Sequence, residues 1–236
     1  MKRAPGALFA LALGACGGPS PGVPPGDASD GSTRAPCAWG DASAREDGRV
    51  VGGPFAARVV RFTPGEGASF GHRALPDIVL GPPQGAGDLM GSTDVASLGA
   101  GGSIVLGFDG AIVDGPGDDF TVFENPFTVP GAELGHWDEL AEVAVSDDGD
   151  SWVPFPCARA ARPFTGCAGW RPVYASAASG LCATDPVVSG GDGFDLATVR
   201  VPRARYVRIT DLRTQEPTAP AAGFDLDAVA VLHRGD

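Results

Sequence analysis

The side chains of this 236-residue chain that could do chemistry are mostly carboxylates at the ends of apolar runs. Glu124 and Asn125 follow Phe120-Thr121-Val122-Phe123, Glu139 opens a run that continues to Ser146, and Asp195 follows Gly193-Phe194. Asp225 and Asp227 sit in Gly223-Phe224-Asp225-Leu226-Asp227-Ala228. A hard cation such as Ca²⁺ collects about six to eight oxygens from carboxylates and carbonyls, so convergence of these strand ends would build a calcium site. Strand alternation puts Asp225 and Asp227 on one face with Val229 and Val231. Phe224, Leu226, Ala228, Ala230 and Leu232 then form the opposite, apolar face. No twelve-residue EF-hand loop occurs, and no phosphate-binding loop accompanies the acids as Mg²⁺ sites usually require.

Other chemistries fit less well. Two carboxylates flanking a sugar would suit a glycosidase, and Glu124 with Glu139 is the pair available. No Gly-x-Ser-x-Gly or His-Glu-x-x-His motif is present, and Gly99-Ala100-Gly101-Gly102 precedes a strand rather than a helix. No nucleophile comes with a base, so the expectation is a non-enzyme. Trp39, Trp137, Trp152 and Trp170 raise the question of sugar stacking. Trp152, after a hairpin turn, reads as core, while Trp137 and Trp170 lie in loops and are the candidate platforms.

The elements that must position these groups are short. With 36 Gly and 22 Pro, a long amphipathic helix is excluded almost everywhere. Strands are expected at 57–62, 77–80, 103–108, 120–125, 139–146, 196–199, 205–210 and 225–232. Asp109-Gly110 is expected to turn the third of these, and Asp147-Asp148-Gly149-Asp150 to close a hairpin answered by Ser151–Phe155. Short antiparallel strands with long loops indicate an all-β sandwich, with a jelly roll as the expected topology.

Val145 to Trp152, with Arg205-Tyr206-Val207-Arg208-Ile209, resembles the discoidin-like, galactose-binding-like sandwich. The order Val122-Phe123-Glu124-Asn125, Glu139 to Ser146, Gly193 to Ala197 and Gly223 to Val229 is similar to a family of bacterial secreted and cell-surface proteins. The resemblance spans residues 57–232. It implies a surface role and, from related sandwich modules, a structural calcium near the last strand.

The chain begins with a basic Met1-Lys2-Arg3, an apolar Ala7–Leu13 and then Leu13-Gly14-Ala15-Cys16. This resembles a lipoprotein signal (residues 1–15) with Cys16 as the lipidated residue; an ordinary cleaved signal is the alternative. Residues 16–36 lack large apolar side chains and read as a flexible tether. Residues 37–236 form the single expected domain. The net charge is −12, which argues against nucleic acid or anionic lipid as charge partners. Cys37, Cys157, Cys167 and Cys182 remain after Cys16, giving three possible pairings. Cys157–Cys167 and Cys37–Cys182 are favoured, and zinc is disfavoured because no close cysteine pair or neighbouring histidine exists. The whole reads as a lipid-anchored module of a Gram-negative outer membrane or cell surface that binds a glycan or surface protein. A calcium-dependent polysaccharide hydrolase and a purely structural lipoprotein are the alternatives.

Overall fold

In a computed structural model, described at residues 37, 45–46, 49–50, 52–129, 135–215 and 220–236, the chain is an all-β sandwich of antiparallel sheets. Residues 36–236 make one compact unit. The signal segment, Cys16, the tether and Trp39 lie outside the described residues.

The longer strands are β1 (Arg58–Thr63), β2 (Ser103–Val113), β3 (Phe120–Phe123), β4 (Ala141–Ser146), β5 (Asp192–Phe194), β6 (Arg203–Asp211) and β7 (Ala228–Val231). The larger sheet runs β4-β6-β2-β1. Short strands Val153–Pro154 and Cys167–Ala168 add to β4, and Arg234–Gly235 adds to β2. The smaller sheet is β5-β3-β7. Between them lies one apolar cluster, to which Ile104, Leu106, Val143, Val145, Val207 and Ile209 come from one sheet. Phe120, Val122, Phe194, Val229 and Val231 come from the other. Period-2 patterning explains this layering: alternate residues of β4 and β6 face inward, and in β6 the residues between them, Arg205, Tyr206, Arg208 and Thr210, are exposed or half-buried.

The smaller sheet is buried on both faces. On its outer side Phe123, Ala228 and Ala230 pack with Phe55, Val173, Ala175 and Ala183. Val173, Ala175 and Ala183 belong to the irregular region that carries the cysteines. Both favoured disulfides are formed, Cys37–Cys182 and Cys157–Cys167, with Cα–Cα distances of 5.2 and 4.6 Å.

Several expected strands differ. Asp77–Val79 and Leu196–Val199 are 3₁₀ turns, the second capped by Asp195, whose carboxylate accepts from the Ala197 N–H at 2.8 Å. Asp109-Gly110 does not end its strand: β2 continues to Val113. His136–Trp137, expected as loop, pairs with Phe127–Thr128. The closing strand is broken at Asp227. Asp225–Leu226 pairs with Ala96–Ser97, whereas β7 pairs with β3. The break shifts the alternation by one residue. Phe224 and Leu226 therefore join Val229 and Val231 in the main core, and the acidic and apolar faces expected from strict alternation are mixed.

Candidate metal centre

At the end of β3 the interior of the sandwich becomes acidic. Glu124 is the next inward position after Phe120 and Val122, and it is 2% exposed. Across the β5–β3 ladder Asp192 lies opposite Val122 and is 3% exposed. Glu139, at the entry to β4, and Asp225, opposite Ser97, are buried as well. These four carboxylates belong to different elements, and only the packed sandwich brings them within reach of one another's charge.

Their titration reflects that crowding. Burial raises the Glu124 carboxyl well above its ordinary range, and the charges of Glu139, Asp225 and Asp192 add to the rise. Burial, then the charge of Asp225, pushes Glu139 up to about 8, while the Trp137 indole N–H opposes the shift. Burial moves Asp225 to about 7, with Ser97 opposing, and moves Asp192 to about 7 against the backbone N–H groups of residues 169–171. One oxygen of each of three groups, Glu124 Oε2, Asp192 Oδ1 and Asp225 Oδ1, is buried without a hydrogen-bond partner. A buried carboxylate oxygen with no donor is costly, and several side by side are costlier still.

The remaining expected ligands behave differently. Asn125 lies beside Glu124, but its amide donates to the Ser92 carbonyl at 2.7 Å, and its backbone N–H donates to the Glu124 carboxylate. Asp227 does not share the site of Asp225. Both of its oxygens accept from the Gln84 N–H, at 3.1 and 2.9 Å, because the break in the closing strand turns it toward that loop. Asp195 is likewise elsewhere: it follows Phe194, which pairs with Phe120 at the start of β3, whereas Glu124 is at the far end.

Asp195 belongs instead with Asp114 and Asp119, the one group of three acids among the described residues whose oxygens all lie within 4.8 Å of one another. Asp119 is already committed. Its Oδ1 accepts from the Gly115 N–H and contacts His233 Nδ1, both at 2.8 Å, and its Oδ2 accepts from the Leu196 N–H at 2.7 Å. Among the described residues this trio reads as a clip joining three loops. Asp211 works in the same way, accepting from the N–H groups of Gly101, Arg213 and Phe224. Sequence reasoning missed both Asp192 and Asp211. A usable signal for Asp192 was its place two residues before Phe194, which puts it on the same inward face.

The tryptophans also divide. Trp137 is 43% exposed, stacks on Phe127 with ring centroids 6.4 Å apart and donates to Glu139. Trp170 is flanked by the guanidiniums of Arg162 and Arg171 at 5.5 and 5.0 Å, with Phe164 at its edge. Trp152 is a surface residue rather than core, covered by Arg208 at 4.7 Å.

No family model matches this chain, and no curated protein matches it either.

Proposed function

We propose that the chain is an exported, lipid-anchored, non-catalytic binding module whose loops are shaped by a calcium ion held among Glu124, Glu139 and Asp225, with Asp192 beside them. The carrying observation is the set of buried carboxylate oxygens without donors. The donor set fits: every candidate ligand is a hard oxygen, which suits Ca²⁺ and not Zn²⁺, whose sites favour sulfur and nitrogen. When bound, the ion would supply positive charge where the fold otherwise buries mutual repulsion. Glu139 would transmit that order to Trp137, and Asn125 would do so through Ser92 to the preceding loop. Asp195 and Asp227, each satisfied by backbone N–H groups, are left outside this ligand set.

The two disulfides support an oxidising compartment, consistent with export and with Cys16 as the anchor. Recognition of a glycan or surface protein is the accompanying role, in keeping with the resemblance to bacterial surface proteins. The experiment is thermal unfolding in calcium and in chelator. An ion that binds only the folded state at a hundredfold excess over its dissociation constant adds about 2.7 kcal/mol. Superimposable melting curves would remove the centre.

A further inference from the structure

The outward face of the larger sheet carries a cationic and aromatic surface that the calcium centre does not use. Strand register fixes its rows. Arg58, Gly107, Tyr206 and Ser146 are successive partners across β1, β2, β6 and β4; Arg61, Val105, Arg208 and Ala144 form the next row. Thr63, Ser103, Thr210 and the half-buried Glu142 form the third, so the one carboxylate in these rows lies at the β4 edge, away from Arg61. Arg61 and Arg208 thus flank Val105, two strand spacings or about 10 Å apart along the backbone. Between them, Val60, Thr63, Ser103, Trp152 and Tyr206 help line a groove of about 200 Å³.

The arginines are held rather than loose. The Arg208 guanidinium lies 4.7 Å from the Trp152 ring centre, and that of Arg58 lies 5.6 Å from Tyr206. Gly107 makes the second contact possible, since a Cβ there would sit 2.8 Å from the Arg58 guanidinium carbon. Stacking lowers the entropy lost when a guanidinium binds, while its in-plane N–H donors stay directed outward. Arg58 Nη1 uses one donor on the Phe108 carbonyl at 3.4 Å. Among the described residues, no carboxylate pairs with Arg58, Arg61 or Arg208. The nearby Asp147 is engaged by Arg203 at 3.1 Å and Arg205 at 3.6 Å. Unpaired arginines clustered on one face of a chain with net charge −12 mark a place for an anionic partner.

We infer that this face binds an acidic polysaccharide, a uronate ring seated in the groove, the carboxylates of successive residues on Arg61 and Arg208, and ring hydroxyls on Thr63 and Ser103. The Thr63 and Ser103 hydroxyls beside Trp152 and Tyr206, in a groove of about 200 Å³, favour a sugar over an acidic peptide. The acidic remainder of the chain opposes a long duplex nucleic acid, whose binding needs many phosphate contacts. The inference gives a surface and a ligand class to the recognition role proposed above and rests on it for its biological sense, but the calcium centre takes no part.

Titration of the full chain with polygalacturonate, in chelator and at low ionic strength, tests it. Binding is expected, falling with added salt. Arg61→Ala and Arg208→Ala should each weaken it about tenfold, as loss of a charge-assisted hydrogen bond does. Arg208→Lys should recover only part of the loss, and Arg159→Ala, an exposed arginine elsewhere, should change nothing. Unchanged melting temperatures for these variants would separate binding from folding. Equal binding of a neutral polymer, equal loss in Arg159→Ala, or equal binding of duplex DNA would each overturn the assignment. Binding that persists in chelator while the melting curve ignores calcium would discard the metal centre and keep this face.

Discussion

Replacing Glu139 by Gln should stabilise the metal-free protein and weaken the calcium-loaded one. The argument begins with burial, which with the charge of Asp225 lifts the Glu139 carboxyl from its ordinary 4.5 to about 8. The folded state then holds a proton that the unfolded chain releases above its ordinary range. Stability of the metal-free protein therefore falls as pH rises from about 4.5 to about 8, and the full penalty is present above that window. Taken alone, a rise of that size corresponds to about 5 kcal/mol. Glu139 and Asp225 both raise Glu124 as well, so part of that figure is shared, and a gain of about 1–3 kcal/mol in Glu139→Gln at pH 8 is expected. For a domain of this size each kcal/mol moves the melting temperature by about 2–4 °C. The assay is a melting series from pH 4.5 to 8.5 on both proteins, in chelator and in excess calcium. In chelator the variant should melt several degrees higher at pH 8 and equal the parent near pH 4.5. In calcium the order should reverse, because an anionic ligand has become a neutral amide. A variant that melts lower than the parent in chelator at pH 8 would refute the reasoning.

Other predictions follow from groups outside the centre. Asp211→Ala removes the acceptor of three backbone N–H groups and should cost about 2–4 kcal/mol with calcium and without it, read by chemical denaturation. Asp148→Asn alters only a hairpin-turn carboxylate that accepts from the Asp150 and Ser151 N–H groups, so calcium's shift of the melting temperature should be unchanged. Cys16→Ser should move the protein from the membrane fraction to the soluble one or leave its signal uncleaved, as fractionation and mass measurement would show.

How far the sequence can be read depends on how local each cause is. The strands β4 and β6 were legible because inward valines and isoleucines alternate with polar residues, and the hairpin because Asp148 and Gly149 suit its turn. Asp77–Val79 and Leu196–Val199 differ from expectation because a run of three or four residues, apolar in part, fits a strand or one 3₁₀ turn equally well. Asp227 was assigned to the face of Asp225 by strict alternation. What breaks that alternation is tertiary: the Asp227 N–H donates to the Phe123 carbonyl while its carboxylate takes the Gln84 N–H. Glu124, Glu139 and Asp225 were identifiable as acids at strand ends. Asp192 sits among Gly190, Gly191 and Gly193, where no strand pattern shows, and only its register against Val122 reveals it. Trp152 looked like core because it follows a tight turn, yet it continues the outward row of Ser146 and Tyr206.

The most direct test of the calcium centre uses Tb³⁺ as a luminescent stand-in for Ca²⁺, excited through tryptophan. Trp137 donates to Glu139, so an ion held there should light up on indole excitation, and added calcium should quench the signal by competition. The account predicts sensitised emission that drops sharply in Trp137→Phe and in Asp225→Asn but persists in Asp227→Asn. Emission that survives Asp225→Asn, or that is lost only with Asp195 or Asp227, would contradict it.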